Sequence, residues 1–317
     1  MLNRFPDADK YVFKEKFINR YSKLTEWDEF KEYSLSFLRK SIRVNTLKID
    51  IEECAERLRA DWNVEPVLWC PEGFFIEHKG SRLDVGNTIE HALGYYYVQE
   101  AASMIPPIVL DPKPGEVVLD MAAAPGSKSS QIAQYMQNQG LLVANDVKGA
   151  RLASLGINLQ RCGVHNAIIT LMQGQAYAKS GILFDKILLD APCSGIGTIR
   201  KSPKTINMWN PDMVKRLASL QKKLITTAWS QLKPGGRLVY STCSLEPEEN
   251  EGVVDYLLSK NDDARMVEFD LPMKRADPVR EFEGKEYDQC VNACLRLWPQ
   301  DNDTEGFFVS AIEKVRK

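Results

Sequence analysis

From residue 116 to residue 243 the chain alternates short apolar runs with longer segments of helical spacing. EVVLDM (116–121), LLVAND (141–146), AIITLM (167–172), FDKILLD (184–190) and GRLVYSTC (236–243) have strand length and little polar interruption. Between them, SKSSQIAQYMQ, KGARLASLGINLQRCG and MVKRLASLQKKLITTAWSQL carry apolar residues at intervals of three and four. This alternation predicts a parallel sheet with helices on both faces, a doubly wound α/β domain. Two further β segments, ACLRLWP (293–299) and GFFVSAIEK (306–314), are expected after a helix starting near Pro247. Folds of this kind bind ligands at the carboxyl ends of their strands. Asp120, Asp146, Asp190 and Cys243 stand at those ends.

Ahead of residue 95 the texture differs. The first forty residues read as helices with a break between Thr25 and Asp28. SIRVNTLKI (41–49) predicts a strand, and DIEECAERLRAD (50–61) a helix with Ile51, Cys54 and Leu58 on one face. PVLWC (66–70) and GFFIEH (73–78) predict two short strands around a Pro-Glu-Gly turn. Helices followed by a small α/β, RRM-like unit would occupy residues 1–94, and the doubly wound domain residues 95–317.

Composition narrows the class without naming it. The 317 residues are 44% apolar and 26% charged, as in ordinary globular proteins. Seven cysteines form no CxxC pair, so neither a disulfide framework nor a metal site is expected. The amino terminus carries acids and lacks the apolar stretch of a signal peptide. No apolar run is long enough for a bilayer, so no membrane role and a cytoplasmic location are expected. The net charge of −2 offers no hint of nucleic acid, yet RKSPKTINMWNPDMVKRLASLQKK (200–223) holds seven Lys and Arg against the single acid Asp212. RKSIR (39–43) and HKGSR (78–82) add smaller clusters. Such runs are solvated faces unless they converge on one cleft, where they would bind phosphates.

The turn LDMAAAPGSKSSQIA (119–133) joins the first strand to its helix and could bring backbone amides to a ligand. A dinucleotide site would carry G-x-G-x-x-G, whereas this turn has only Gly126 after alanines 122–124. Missing glycines argue against a pyrophosphate and suit S-adenosylmethionine, which has an amino-acid tail and no phosphate. Lys128 lies outside Walker spacing. Twenty residues past Gly126, Asp146 ends the second strand, where an acid can hold ribose hydroxyls or cap the following helix.

LLDAPCSGIGT (188–198) follows the fourth strand and YSTCSLEPEEN (240–250) the fifth. Cys193 and Cys243 would meet if those strands are parallel neighbours. Two thiols beside Asp190 and a methyl donor suit the methylation of carbon 5 of cytosine, an atom too weakly nucleophilic to react unaided. A thiolate added to carbon 6 makes carbon 5 electron-rich, and an acid at the N3/N4 edge steadies the resulting charge. The second thiol can assist release. The nucleophile needs a positive neighbour, Lys128 or the helix expected at Pro247. Glu248 and Glu249 would oppose it, so both are expected to point away.

SIRVNTLK (41–48), GYYYVQEAAS (94–103), DMAAAPGSKS (120–129), DAPCSGIGTIRK (190–201), YSTCS (240–244) and EGFF (305–308) together resemble the RNA (cytosine-5) methyltransferases of the NOL/NOP/Sun group. The resemblance covers most of the chain and implies a Rossmann-like S-adenosylmethionine-dependent methyltransferase sheet. By that likeness Cys243 in T-C-S is the nucleophile and Cys193 in P-C-S assists release, whereas DNA cytosine-5 methyltransferases use the cysteine of the P-C motif. Cofactor contacts are implied for Ala122, Ala123, Ala124, Pro125, Gly126, Ser127, Lys128, Asp146, Arg151 and Asp190. Two positions depart from the pattern: Ser127 replaces a common glycine, and Gln173 stands where an acid near the adenine is usual. Glutamine can still accept from the adenine amino group. The compact length resembles archaeal tRNA (cytosine-5) methyltransferases and lacks an appended PUA-like or NusB-like module. The resemblance thus implies a monomer acting on RNA, with tRNA first and rRNA second. Its amino-terminal unit, Arg43 and residues 200–223 would grip phosphates, and Trp209 would either stack on a base or pack in the core. The competing readings are a silent RNA-binding assembly factor and a methyltransferase for small molecules or proteins with structural cysteines.

Overall fold

The computed structural model describes residues 2–80 and 84–316. Arg82 of the HKGSR cluster lies outside the described residues. Two helices near the start of the chain, α1 (Glu15–Tyr21) and α2 (Trp27–Ser34), are separated by residues 22–26, slightly upstream of the break expected between Thr25 and Asp28. Phe13, Phe17, Tyr21 and Phe30 from this segment bury themselves against Ile196, Trp209, Leu245 and Trp298. Distant parts of the chain are thereby tied to the N-terminal helices. Trp209 is 2% exposed, with its indole N–H on Glu246 at 2.6 Å, so it packs in the core and offers no face to a base.

A small antiparallel sheet follows, built from β1 (Ser41–Val44), β2 (Trp62–Pro66), β3 (Gly73–His78) and β4 (Tyr96–Val98). Helix α3 (Ile51–Arg59) joins β1 to β2, the short α4 (Ile89–Ala92) precedes β4, and the strand order is β2-β3-β1-β4. This is the split β-α-β-β-α-β arrangement expected of an RRM-like unit. The first strand is shorter than the apolar run, because Asn45 turns the chain: its Oδ1 accepts from Leu47 N–H while its amide reaches the carbonyls of Gly94 and Cys162. The second strand is shifted to Trp62–Pro66. Residues 67–73 form tight turns, with Val67 and Gly73 joined through backbone atoms at 2.9 Å, and so PVLWC is not a strand.

Beyond α5 (Ile105–Leu110) lies the eight-stranded sheet, in the order β10-β14-β9-β8-β5-β6-β7 with β13 beside β14. Its strands β5 (Val117–Asp120), β6 (Leu141–Asp146), β7 (Ala167–Leu171), β8 (Phe184–Asp190) and β9 (Leu232–Thr242) are parallel, with β7 at the outer edge. Antiparallel strands β10 (Ala264–Met266), β13 (Leu295–Leu297) and β14 (Phe307–Lys314) complete one edge, and β11 (Glu281–Phe282) with β12 (Lys285–Glu286) forms a separate hairpin. The order reverses between β5 and β8, which opens a crevice at their carboxyl ends.

The apolar runs follow from burial on both faces. Leu119, Ile187, Leu189, Leu238 and Tyr240 face one layer, with α9 (Pro211–Ser230) and α10 (Glu251–Leu258) above them. Val118, Leu188 and Val239, one residue out of step, face α5 and α6 (Ser127–Tyr135). Helix α7 (Gly149–Arg161) crosses from β6 to β7, and the short α8 (Thr205–Met208) and α11 (Pro299–Asn302) sit in the loops. Helix α10 starts at Glu251, not at Pro247, because residues 246–250 form a tight turn.

The small sheet presents Ile42, Val44, Phe74 and Ile76 to α3 and its other face to the large domain. Arg43 on that second face is fully buried. Its guanidinium donates to Gln99 and Ser130 at 2.8 Å each, and to Gln134. The expected phosphate contact from Arg43 is therefore wrong: uncharged acceptors on α6 and beside β4 consume its donors. Arg200 is likewise buried, bonded to Asp303 at 2.7 Å and to the carbonyls of Phe37 and Thr304.

Glu100 links the two sheets a second time, accepting from Glu305 N–H at 3.1 Å and Ser103 N–H at 3.0 Å. Desolvation, followed by the nearby Glu305 carboxylate, pushes its carboxyl up to about 8. Folding thus favours the protonated form.

Two outcomes are expected. Arg43→Ala should lower the unfolding free energy by about 3 kcal/mol, since it strands several buried acceptors at once, as read from the urea midpoint. Because the folded state holds a proton on Glu100 that the unfolded state has lost, stability should fall as pH rises from 4.5 toward about 8. Glu100→Gln should flatten that decline in a series of urea titrations.

Candidate active site

The crevice is lined by Asp120, Ala122–Pro125, Ser127, Lys128 and Asp190. Asp120 ends β5, and the chain then turns through Gly126, whose φ of 105° is left-handed. A β-carbon at Gly126 would also stand 3.0 Å from Leu155 on α7, so the turn requires glycine. Three of the turn's atoms are held by the end of β6. Asn145 O accepts from Ala123 N–H at 2.6 Å, and Asp146 Oδ2 from Ala124 N–H at 3.2 Å. Asn145 Nδ2 donates to Met121 O at 3.0 Å.

Asp146 is 1% exposed. Its Oδ1 also accepts from Lys148 N–H at 2.9 Å, and Arg151 lies 3.2 Å from its Oδ2 while donating to Ala124 O. The aspartate therefore does bind the start of the next helix, and Arg151 joins it to the cofactor turn. Gln173 is exposed just past β7. Val147, beside Asp146, is 57% exposed despite its apolar side chain.

At the other side of the crevice, Lys128 Nζ donates to Asp190 Oδ2 at 2.7 Å and to Ser103 Oγ at 2.9 Å. Burial alone would lower the ammonium's pKa, but the Asp190 carboxylate holds it above its ordinary value. Asp190 Oδ1 accepts from Ser241 Oγ at 2.8 Å. The carboxylate is thus fixed from two directions, with both partners at strand ends or in the first turn of α6.

Strands β8 and β9 pair in parallel with Asp190 opposite Ser241. Cys193 and Cys243 follow within three residues, and their sulfurs lie 3.3 Å apart, both thiols free and part-exposed. The hydrogen bond to Cys243, then burial, then the neighbouring acidic groups push the Cys193 thiol well above its usual range. At this separation the two sulfurs can share a proton, with either as donor. Close backbone approach locks this corner: Gly197 N–H donates to Cys243 O at 2.9 Å, and Gly306 N–H to Gly197 O at 2.9 Å. A β-carbon on Gly197 would lie 2.0 Å from Gly306 O.

The carboxylates after Cys243 do not all turn away. Glu248 points outward to Arg20 at 2.6 Å, as expected. Glu249 points inward and is fully buried, accepting from Ser194 N–H, Ser244 Oγ and Gln221 Nε2. The expectation for Glu249 was wrong because the helix starts four residues later than anticipated, which swings this side chain beneath both cysteine turns. With the helix at Glu251, the positive charge near Cys243 comes from Lys128.

Sequence reasoning missed Asp120 as more than a strand end. Its Oδ2 accepts from Ser129 at 2.6 Å, while the buried Oδ1 has no partner among the described residues. Burial first pushes its carboxyl up to about 6. An orphaned acceptor in a crevice lined by small residues fits an ammonium-bearing amino-acid tail, which S-adenosylmethionine has. The paired Asp146 and exposed Val147 suit its ribose and adenine. Ser241 and Ser103 were also missed, although Ser241 lies inside the YSTCS motif.

Comparisons with known proteins point to one family. The family model described as 16S rRNA methyltransferase RsmB/F matches residues 107–313, and that of the N-terminal domain of 16S rRNA methyltransferase RsmF matches residues 13–101. The chain is 49% identical over 303 residues to a tRNA (cytosine(49)-C(5))-methyltransferase of Pyrococcus abyssi, covering 95% of this chain and 96% of that one. It is 43% identical to ribosomal RNA small subunit methyltransferase F of Shewanella loihica, covering 91% of this chain but only 59% of that longer protein. Among solved structures, a methyltransferase homolog protein from Pyrococcus horikoshii superimposes with a TM-score of 0.87 at 37% identity, covering 98% of this chain and all of that one. NSun6 from the same organism, solved with SFG, gives 0.84 at 25% identity over 97% of this chain and all of its own. The chain belongs to the RsmB/F family of S-adenosylmethionine-dependent RNA (cytosine-5) methyltransferases.

Proposed function

We propose that this enzyme methylates carbon 5 of a cytidine in tRNA through a transient bond between Cys243 Sγ and carbon 6 of the base. The observation that carries the reading is the sulfur pair, 3.3 Å apart at neighbouring strand ends beside the Lys128–Asp190 pair. S-adenosylmethionine supplies the electrophilic methyl group. In this reading Asp146 and Arg151 hold its ribose end, Ala122 to Ser127 wall the crevice, Asp120 takes the ammonium, and Gln173 accepts from the adenine.

The protein's own groups handle the base. Attack by Cys243 Sγ on carbon 6 moves electron density to carbon 5, and Asp190 accepts from the exocyclic amine while Lys128 balances the charge. After transfer the carbon 5 proton must leave and the carbon–sulfur bond must break. The Cys193 thiol touches the leaving sulfur and can hand it a proton. Cys193 regains a proton from carbon 5, and the Cys243 thiol gives up its own to solvent before the next attack, the one net proton that methylation by a sulfonium releases. Both sulfurs must be reduced, which fits a cytoplasmic setting. A monomer holds every group named here.

The tRNA assignment is favoured over rRNA because the match to the Pyrococcus tRNA enzyme runs along 96% of its length, against 59% of the Shewanella rRNA enzyme. The N-terminal unit, which runs on through β4 instead of ending at residue 94, would serve as the RNA-gripping unit with the exposed Lys201, Lys204, Lys215, Arg216 and Lys223 as phosphate contacts. A base within folded RNA must swing out of its stack to reach the sulfurs.

Incubated with labelled methyl donor and total tRNA, the wild-type protein should transfer label and Cys243→Ala should not; undiminished transfer by that variant would make the cysteines structural. Cys193→Ala should instead accumulate a protein–RNA adduct visible on a denaturing gel. Replacing Lys215 and Arg216 together by alanine should weaken tRNA binding and reduce the salt slope by about one for each phosphate no longer neutralised, leaving cofactor affinity unchanged.

A further inference from the structure

The run SLEPEENE (244–251) after Cys243 brings three of its four carboxylates into the protein interior. Glu246, Glu249 and Glu251 are each 0% exposed. Two of them have conventional partners. Glu246 is held by Arg20, Tyr21 and Trp209, and Glu251 by both ends of the Arg296 guanidinium at 2.9 and 2.6 Å. Glu249 has no cation among its hydrogen-bond partners. Its Oε2 accepts from Ser194 N–H at 2.9 Å and Gln221 Nε2 at 2.8 Å, and its Oε1 from Ser244 Oγ at 3.0 Å.

These donors are not scattered. Ser194 immediately follows Cys193, and Ser244 immediately follows Cys243. Gln221, on α9, uses the same amide nitrogen to bind Pro192 O at 2.9 Å, on the other side of Cys193. The hydroxyls of Ser194 and Ser244 also meet at 2.9 Å. One carboxylate therefore grips the residue after each sulfur, and its helper grips the residue before one of them.

Burying a carboxylate without a cation costs several kcal/mol unless its oxygens are well bonded. A protein needing only a filled space here could use an apolar side chain. The surroundings are built to keep Glu249 still. Thr242 Oγ1 donates to Asn250 Oδ1 at 2.6 Å, Asn250 Nδ2 donates to Ser244 O at 2.9 Å, and the neighbouring Glu246 and Glu251 are anchored by their arginines.

We propose that Glu249 is the positioning residue of the two-sulfur site, bridging the P-C-S and T-C-S turns so that Cys193 and Cys243 are held in contact through the catalytic cycle. The role rests on the two-thiol mechanism proposed above. Glu249 does not touch the base. It acts by fixing two turns that come from different strands, adding a buried carboxylate bridge to the direct Ser194–Ser244 hydroxyl contact and the Gly197 N–H to Cys243 O bond.

The test uses Glu249→Ala and Glu249→Gln in the full-length enzyme, with two readouts. The first is methyl transfer to tRNA, resolved into kcat and KM. The second is the rate at which diamide, itself reduced to the hydrazine, joins Cys193 to Cys243 as a disulfide, which reports sulfur contact without any methylation. Glu249→Ala should lose about a hundredfold in kcat, the scale of an ångström-sized misplacement, with KM little changed and cross-linking slowed alongside. Glu249→Gln keeps an acceptor oxygen toward Ser194 and Gln221, and should recover both rates to within about tenfold of wild type. Wild-type kcat and cross-linking in Glu249→Ala would overturn the proposal, as would a Glu249→Gln protein that binds cofactor normally but cross-links as slowly as the alanine variant.

Should Glu249→Ala fail to bind S-adenosylmethionine, Glu249→Asp decides, because it keeps the carboxylate and the Ser194–Ser244 contact but is one methylene too short to reach both turns. Cross-linking slowed about tenfold supports the bridge, and a wild-type rate overturns it. If Cys243→Ala still transfers methyl, the two-thiol mechanism fails on its own, while the cross-linking rates continue to report whether Glu249 joins the turns.

Discussion

The parallel pairing of β8 with β9, in the register that sets Asp190 opposite Ser241, is the constraint on which this active site depends. Side chains alternate between the two faces of a strand, so a slip of one residue would exchange the layers that face α9 and α5. The register is secured by burial of both faces: Ile187, Leu189, Leu238 and Tyr240 on one side, Leu188 and Val239 on the other. Once it is set, residues fifty positions apart arrive at the same height. The Ser241–Asp190 hydrogen bond, the Lys128–Asp190 pair and the contact between Cys193 and Cys243 all follow from it.

A second constraint is electrostatic. The acidic run after Cys243 looks in sequence like a solvated helix start, which is where acids usually stabilise a helix. In the fold it is an interior turn. Its carboxylates draw in Arg20 from the N-terminal helices and Arg296 from the strand beside β14, and these pairs join three distant parts of the chain around the T-C-S turn. Removing either arginine would leave a buried charge uncompensated, a far larger penalty than losing a surface ion pair. The loop that follows Cys243 is thereby tightly restrained, as the proposed two-sulfur chemistry, which must place sulfur atoms to within a fraction of an ångström, requires.

Much of this was legible before the structure. Strands β5, β6, β8 and β9 are apolar runs because both of their faces are covered, and each crossover helix has its own periodicity, so the large sheet could be read directly; the edge strand β7 is an apolar run although Ile168, Ile169 and Leu171 are exposed. The two cysteines, Asp190 and Asp146 could be read because they fall at or just past strand ends, and Lys128 because it opens the helix after the first strand. What could not be read depends on partners remote in sequence. Arg43 and Arg200 look like surface cations, and only the arrival of Gln134 on α6 and Asp303 near β14 makes them internal. Glu249 looked like a first-turn acid until the helix proved to start at Glu251. The second small strand moved upstream because Pro66, Pro71 and the turns around Gly73 favour a compact bend over the extended conformation that the apolar run PVLWC suggests.

The buried Arg43 also changes how the small sheet must be understood. RRM domains read RNA on the open face of their four-stranded sheet, through side chains of the central strands. Here the central strands are β1 and β3, and their outward residues Arg43 and Phe75 pack into the large domain. Tyr97 on β4 likewise accepts a hydrogen bond from Asn158 on α7 and lies beneath Arg161. The surface that this fold elsewhere offers to a nucleic acid has become an intramolecular interface. A substrate gripped by the N-terminal segment must therefore be held by edges and loops, where shape and phosphate positions are read more readily than base identity. The small sheet then does its work by bracing α6, the helix that carries Lys128 to Asp190.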